Sequence, residues 1–165
     1  MKIGLLSDTH GNVGAARAAA RRMAAEGIEM AFHCGDVGGW EVPAEWAATI
    51  PGVPLKIVSG NCDPPGEERF FPSEVGVEHF GRFGEAVVAG RRIAWLHGDD
   101  RRRFEEALRC GRFDFLFFGH THRPADFREG ATRCVNPGSA GRGRPKTAAV
   151  LDLASGELRP FEIEA

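Results

Sequence analysis

Lys2-Ile3-Gly4-Leu5-Leu6-Ser7-Asp8-Thr9-His10-Gly11-Asn12 sets the architecture of this chain. An apolar run of strand length stops at Asp8, and Asn12 then opens a helix that Gly27 closes. Val13, Ala16, Ala20 and Met23 fall on one face of that helix, while Arg17, Arg21 and Arg22 point elsewhere. The alternation continues. Glu29–His33 reads as a second strand, Ala44–Thr49 as a short helix after Pro43, and Leu55–Ser59 as a third strand. Strands alternating with helices predict parallel βαβ units.

Further along, the pattern changes. Val75–Phe80, Ala86–Ala89 and Arg91–Leu96 are short strand-like runs set apart by glycine, the signature of antiparallel hairpins. A helix is predicted over Asp100–Cys110, with acids at its start and Gly111 at its exit. Asp114–Phe118 is a strongly apolar strand running into Gly119-His120, and Asp126–Arg128, Arg133–Val135, Thr147–Leu153 and Glu157–Ile163 supply the remaining strands. The sum is an α/β fold of two sheets packed together with helices outside, its chemistry gathered at the carboxyl ends of the strands.

Bulk properties narrow the function. A length of 165 residues suits one domain, 1–165, with a real core. The net charge of −2 offers no field for anionic lipid or for a stable nucleic-acid complex. No apolar stretch is long enough to span a bilayer, and Lys2–Leu6 is too short for a signal peptide, so a cytoplasmic location is expected. Cys34, Cys62, Cys110 and Cys134 form no Cys-x-x-Cys pair; in a reducing compartment they read as free and mostly buried thiols.

Seven metal-ligand candidates stand on five loops: Asp8 and His10, Asp36, Asn61, His97, and His120 with His122. Nearly all follow an apolar run and sit among glycines. Carboxylate, imidazole and amide oxygen together suit manganese, iron or zinc better than calcium. A carboxylate can bridge two cations, and Asp36, alone between Gly35 and Val37, is the bridging candidate. Taken singly the residues say less. Asn61 reads equally as a turn residue tolerating positive φ, His97 as a packed histidine, and Gly119-His120-Thr121-His122 as a polar turn.

Taken together they say more. The order Asp-x-His, Gly-Asp, Gly-Asn, His-Gly, Gly-His-x-His resembles the calcineurin-like metallophosphoesterase superfamily. Ser7-Asp8-Thr9-His10-Gly11-Asn12, Gly60-Asn61-Cys62-Asp63 and Asn136-Pro137-Gly138-Ser139 look like its small single-domain YfcE-type branch. The resemblance runs from Ile3 to the tail. It implies a four-layer αββα sandwich of two mixed sheets. It also implies two divalent cations, manganese foremost, with iron, nickel, zinc or cobalt as alternatives. One cation would take Asp8, His10, Asp36 and His122, the other Asp36, Asn61, His97 and His120. The implied reaction is hydrolysis of a small phosphodiester, or of an activated monoester or nucleotide, by in-line attack of an activated water.

The chain departs from the superfamily in two places. Where many relatives carry a histidine that protonates the leaving group, this sequence has Cys62, a poorer acid. Where many have His-Gly-His, it has His97-Gly98-Asp99, and Asp99 is expected to cap the next helix. Arg123, beside His122, and Arg101, just past the His97 loop, are the candidates for substrate phosphate. Asn136–Ser139 is expected to form a tight turn beside the site. Trp40, Phe70 and Phe71 are aromatics near its mouth that read as core-edge covers, with base stacking the sharper alternative. An interaction scaffold like the retromer scaffold subunit is the competing reading, and a nuclease a third. Homo-oligomers through exposed hairpin edges fit the pattern as well.

Overall fold

The computed structural model describes residues 1–164. Eleven strands and three α-helices alternate in the order β1 (Lys2–Leu6), α1 (Val13–Ala25), β2 (Met30–His33), α2 (Glu41–Thr49), β3 (Leu55–Ile57), β4 (Val77–His79), β5 (Phe83–Val88), β6 (Arg91–Leu96), α3 (Arg101–Arg109), β7 (Phe115–Phe117), β8 (Ala125–Glu129), β9 (Thr132–Asn136), β10 (Thr147–Asp152) and β11 (Leu158–Glu162). One sheet runs β11-β10-β1-β2-β3-β4 and the other β5-β6-β7-β9-β8. Both are mixed: β1, β2, β3 and β4 are parallel neighbours, as are β6, β7 and β9, while the flanking pairs are antiparallel.

The two-residue side-chain period makes the layers. On β1, Ile3 and Leu5 join Phe32, Trp95 and Phe117 in the core between the sheets. Leu6 turns the other way, into the cluster under α1 and α2 with Ala16, Ala20, Met23 and Trp46. On β6, Ile93 and Trp95 face the first sheet, whereas Ala94 and Leu96 face α3 with Leu116, Phe118 and Ala107. Three apolar layers thus separate four structural ones, and the expected αββα sandwich is what the chain builds. Phe32 and Phe80 meet the Trp95 ring edge-on, each 4.8 Å from its centroid.

Local chemistry sets the helix ends. Asn12 accepts the Ala15 N–H at 3.0 Å and starts α1, and Gly27 ends it at a φ of 74°. α2 begins at Glu41, three residues before the predicted start. Pro43 lies inside its first turn, where a missing N–H costs no helical bond. The cap of α3 is Asp100, which accepts the Arg103 N–H at 3.1 Å. Asp99, the expected cap, instead pairs with Arg82. A larger correction concerns β4. It was expected within antiparallel hairpins, but it runs parallel to β3 at the edge of the first sheet, with Leu55 opposite Val77. Only β5–β6 is the hairpin that the glycine pattern implied. The cysteines are all free; Cys34 and Cys134 are buried, whereas Cys62 and Cys110 are exposed, against expectation. No helix is long and apolar enough to cross a membrane.

Candidate dinuclear metal site

β1, β2 and β3 of one sheet and β6 and β7 of the other end on the same side of the sandwich, and every ligand candidate lies just past one of these ends. The chain must turn sharply there to aim its side chains inward. Asp8, His10, Asp36, His120 and His122 all adopt left-handed backbone, with φ between 46° and 66°. Among the described residues, the one other non-glycine with such a φ is Ala89, in the β5–β6 turn. Left-handed backbone is uncommon outside glycine, though Asp and His adopt it more readily than most, and it concentrates where the surrounding fold enforces a functional geometry. Asn61, the type that tolerates it best, is not among them, so positive φ does not account for that residue.

Each carboxylate has one oxygen anchored and one directed inward. Asp8 Oδ2 accepts the Ser7 hydroxyl at 2.5 Å and the His120 N–H at 3.1 Å. Its Oδ1 lies 3.1 Å from His122 Nε2 and 3.9 Å from both His10 Nε2 and His97 Nε2. Asp36 Oδ1 accepts the Cys62 N–H at 2.8 Å, while its Oδ2 lies 3.7 Å from His10 Nε2 and 3.3 Å from His97 Nε2. His97 follows the same plan. Its Nδ1 donates to the Cys34 carbonyl at 2.8 Å, which fixes the tautomer and turns Nε2 inward.

Asp8 is fully buried and His97 is 1% exposed, yet Asp8 Oδ1 and His97 Nε2 have no hydrogen-bond partner. Buried polar atoms are almost always satisfied, so two orphans facing one another need a cause. The 3.3 Å approach of His97 Nε2 to Asp36 Oδ2 is not aligned as a hydrogen bond, so neither atom satisfies the other there. Lone pairs that converge on a common point rather than on each other are what a cation requires. Ligand atoms of Asp8, His10 and His122, of Asp8, Asp36 and His97, and of His10, Asp36 and Cys62 form three groups, each lying within 4.8 Å. Two carboxylates among imidazoles fit a divalent transition metal.

Electrostatics agree with this geometry. Burial raises the Asp36 pKa, but His97 and the Cys62 N–H more than offset it and leave the carboxyl well below its usual range. Burial lowers the His97 pKa, and contact with Asp36 outweighs it, so the imidazole is raised. His10 is lowered, first by burial and then by the charge of Arg142. The Cys62 thiol is raised, chiefly by its contact with Asp36, which makes it a still poorer proton donor.

Placement varies among the remaining candidates. His120 packs edge-on against His97, 5.1 Å between ring centroids. The Asn61 amide nitrogen approaches Cys62 Sγ at 3.3 Å, which leaves its oxygen free. Arg123 is exposed beside His122. Arg101 is held elsewhere: its guanidinium pairs with Glu105 at 3.0 Å on the outer face of α3 and is 89% exposed. Trp40 and Phe70 are exposed rather than covering the core, whereas Phe71 packs against it.

Two residues of the quoted motifs, to which the sequence assigned no specific contact, organise the loops. Asn136 donates to the Gly119 carbonyl at 2.8 Å and to Thr121 Oγ1 at 3.1 Å, which holds the His120–His122 loop. Asp63 joins the loops after β2 and β3 by accepting the Gly38 and Gly60 N–H groups. A Cβ on Gly119 would fall 1.9 Å from Ser7 Oγ, so only glycine lets this backbone reach Asp8.

A model described as the calcineurin-like phosphoesterase superfamily domain matches residues 1–156, and the chain belongs to that superfamily. The enzyme class that the sequence implied, a metal-dependent phosphoesterase, therefore holds. Among individual proteins, the chain is 26% identical to phosphodiesterase MJ0936 of Methanocaldococcus jannaschii over 171 residues, 99% of this chain and 100% of that one. A solved archaeal phosphodiesterase shares the fold at a TM-score of 0.86, with 24% identity over 99% of this chain and all of the other. YfcE, a phosphoesterase from E. coli, shares it at 0.71, with 20% identity and coverage of 99% and 100%.

Proposed function

We propose that this chain is a dinuclear metal-dependent phosphodiesterase acting on a small phosphodiester. One observation carries the reading: Asp8 Oδ1 and His97 Nε2 are buried, lack partners and point into the same space as Asp36 Oδ2, His10 and His122. Asp8, His10, Asp36 and His122 would hold one cation; Asp36, Asn61, His97 and His120 would hold the other. Bound there, two divalent cations, manganese foremost, supply the positive charge that offsets a phosphodiester's anion and makes water acidic near neutral pH.

The chain's own residues keep that arrangement in place. Ser7 and the His120 N–H lock the Asp8 carboxylate, the Cys62 N–H locks Asp36, and the Cys34 carbonyl orients His97. Asn61 contributes a neutral oxygen, which leaves more of the cationic charge for substrate. Cys62, a thiol where many relatives carry an imidazole, is a poor acid, so esters with good leaving groups should turn over fastest. A scaffold has no need for a complete donor set, and this chain keeps every donor, which favours the enzyme over the scaffold.

The test is a screen of mono- and diesters with manganese, iron, nickel, zinc and cobalt, run beside Asp36→Asn. Diester hydrolysis that vanishes on chelation, returns with added metal and is lost in Asp36→Asn is the expected outcome. Hydrolysis that survives exhaustive chelation would remove the metal from the mechanism.

A further inference from the structure

Resting on the phosphodiesterase reading, we propose that Arg142, rather than an acidic side chain, grips the phosphoryl group of the substrate and carries the charge that builds on its leaving oxygen. The segment between β9 and β10 is stitched to the first metal loop. Ser139 Oγ donates to the Asp8 carbonyl at 3.0 Å, the Gly141 N–H donates to the same carbonyl at 2.9 Å, and the Arg142 N–H donates to Ser139 Oγ at 3.0 Å. Position 141 must be glycine, because a Cβ there would lie 2.0 Å from the Thr9 carbonyl oxygen. The backbone of residue 142 is therefore held against Asp8 and Thr9.

The charge of Arg142 is felt at one corner of the site. It bears on His10, after β1, and on Cys62, after β3. Ligand atoms of those two residues and of Asp36 lie within 4.8 Å of one another, so a cation acting on both lies on the side of the site that holds them. Of the charges that bear on Cys62, Asp36 and Asp63 are negative and Arg142 is positive. Arg142 is exposed, and among the described residues its guanidinium has no hydrogen bond and no ion pair. The alternatives are less suited: Arg101 is tied to Glu105, and Arg82 to Asp99 and the Gly60 carbonyl.

A free guanidinium at the edge of an anion site is shaped to hold two phosphoryl oxygens at once. Its position next to Cys62 adds a second role. In the hydrolysis, water oxygen bonds to phosphorus as the P–O bond to the leaving group breaks, and the electron pair of that bond stays on the departing oxygen. The attacking water gives up a proton to solvent, and the departing oxygen takes one from solvent. With a thiol rather than an imidazole at position 62, the negative charge gains from stabilisation before that proton arrives, and Arg142 is the cation proposed to supply it.

Holoenzyme with manganese should be assayed on aryl methyl phosphates whose leaving phenols span several pKa units. For Arg142→Ala, kcat/KM should fall by about 10–100-fold on the poorest leaving groups, the range of one charged hydrogen bond. The loss should shrink on nitrophenolate, giving a steeper Brønsted slope. Arg142→Lys should recover part of the loss and added guanidinium should rescue the alanine variant. Inorganic phosphate should inhibit that variant more weakly, with metal content and melting temperature unchanged. Wild-type activity with an Arg142→Ala slope parallel to wild type overturns this inference and leaves the phosphodiesterase reading standing. A wild type inert towards every ester with every metal overturns both.

Discussion

At the carboxyl ends of β1 and β6, buried polar side chains each keep one atom without a partner, while along the outer face of α3 charged side chains are exposed and paired. Asp8 and His97 have essentially no solvent contact, and each carries an unsatisfied atom. Arg101 and Arg102 are both 89% exposed, and each sits one turn from a glutamate. Sequence composition does not separate these regions, since both are dense in charge. What separates them is the cost of the arrangement. An unpaired buried charge is expensive and persists only where something outside the fold's own stability requires it. An exposed ion pair costs little and contributes little. The site is thus a place where stability is given up, and the helix face a place where solubility is kept.

The strongest way to break this contrast is Asp8→Asn. The amide keeps an oxygen for the Ser7 hydroxyl and the His120 N–H, so the anchoring contacts survive. It removes the buried negative charge and the inward oxygen. We expect kcat/KM to fall by at least about a thousandfold, since losing a contact one shell further out already costs roughly 10–100-fold. Metal content should fall with it, and the melting temperature of the metal-free protein should hold or rise. A metal-loaded, active Asp8→Asn protein would mean that the orphaned oxygen is a structural accident.

A second buried group tests the contrast from the stability side. His33 is fully buried beneath the Asp8–His10 turn. Its Nδ1 accepts the Gly35 N–H at 3.2 Å, so its Nε2 is the donor towards Thr9 Oγ1 at 2.9 Å. Thr9 Oγ1 in turn donates to the Val37 carbonyl at 2.9 Å. Burial holds the imidazole neutral and lowers its pKa to about 4. The unfolded chain takes up the proton below about 6.5, the folded chain only near 4, so protons favour unfolding in between. Stability from this residue is complete above pH 6.5 and is lost as pH falls, by roughly 3 kcal/mol at pH 4. Denaturation curves of metal-free protein between pH 7 and 4 should show this loss, and His33→Gln should flatten it. Parallel curves would show that His33 takes up its proton in place.

Asn136→Ala sharpens the comparison at smaller scale. Removing its amide frees the Gly119 carbonyl and loosens the His120–His122 loop. About a tenfold loss of kcat/KM is expected, together with weaker metal retention, the effect of a contact that orients ligands rather than being one. An unchanged metal affinity would show that the loop holds its left-handed turns unaided.

How much of this was legible in the sequence follows from what each feature depends on. The seven ligand candidates stood out because nearly all follow an apolar run and sit among glycines, a local pattern. The alternating strands of the sandwich were readable for the same reason. The pairing of β4 with β3 was not, because a strand's neighbour depends on the sheet and not on the strand. The left-handed backbone at Asp8, His10 and Asp36 was hidden, since these residue types take several conformations and the surrounding loops decide which. Arg142 was missed because hydrogen bonds to the Asp8 carbonyl, across more than 130 residues of chain, bring it to the site. Arg101 drew notice by adjacency to the His97 loop, a cue that ignores which way a helix turns its side chains.

Arg101→Ala therefore carries the smallest expected effect and still has the power to break the contrast. The Arg101–Glu105 pair spans one helical turn with the cation on the amino-terminal side, the weaker orientation for such pairs. It also places positive charge at the end of α3 where exposed N–H groups are already positive. Losing the pair should leave the melting temperature where it was, and kcat/KM should stay within about twofold of wild type. The matched Glu105→Gln variant should behave alike, because neither partner holds anything but the other and solvent. A tenfold drop in kcat/KM for Arg101→Ala, with Glu105→Gln unaffected, would place this guanidinium on the substrate path. The outer helix face would then be part of the site, and the division between buried unpaired charge and exposed paired charge would no longer mark where the chemistry is.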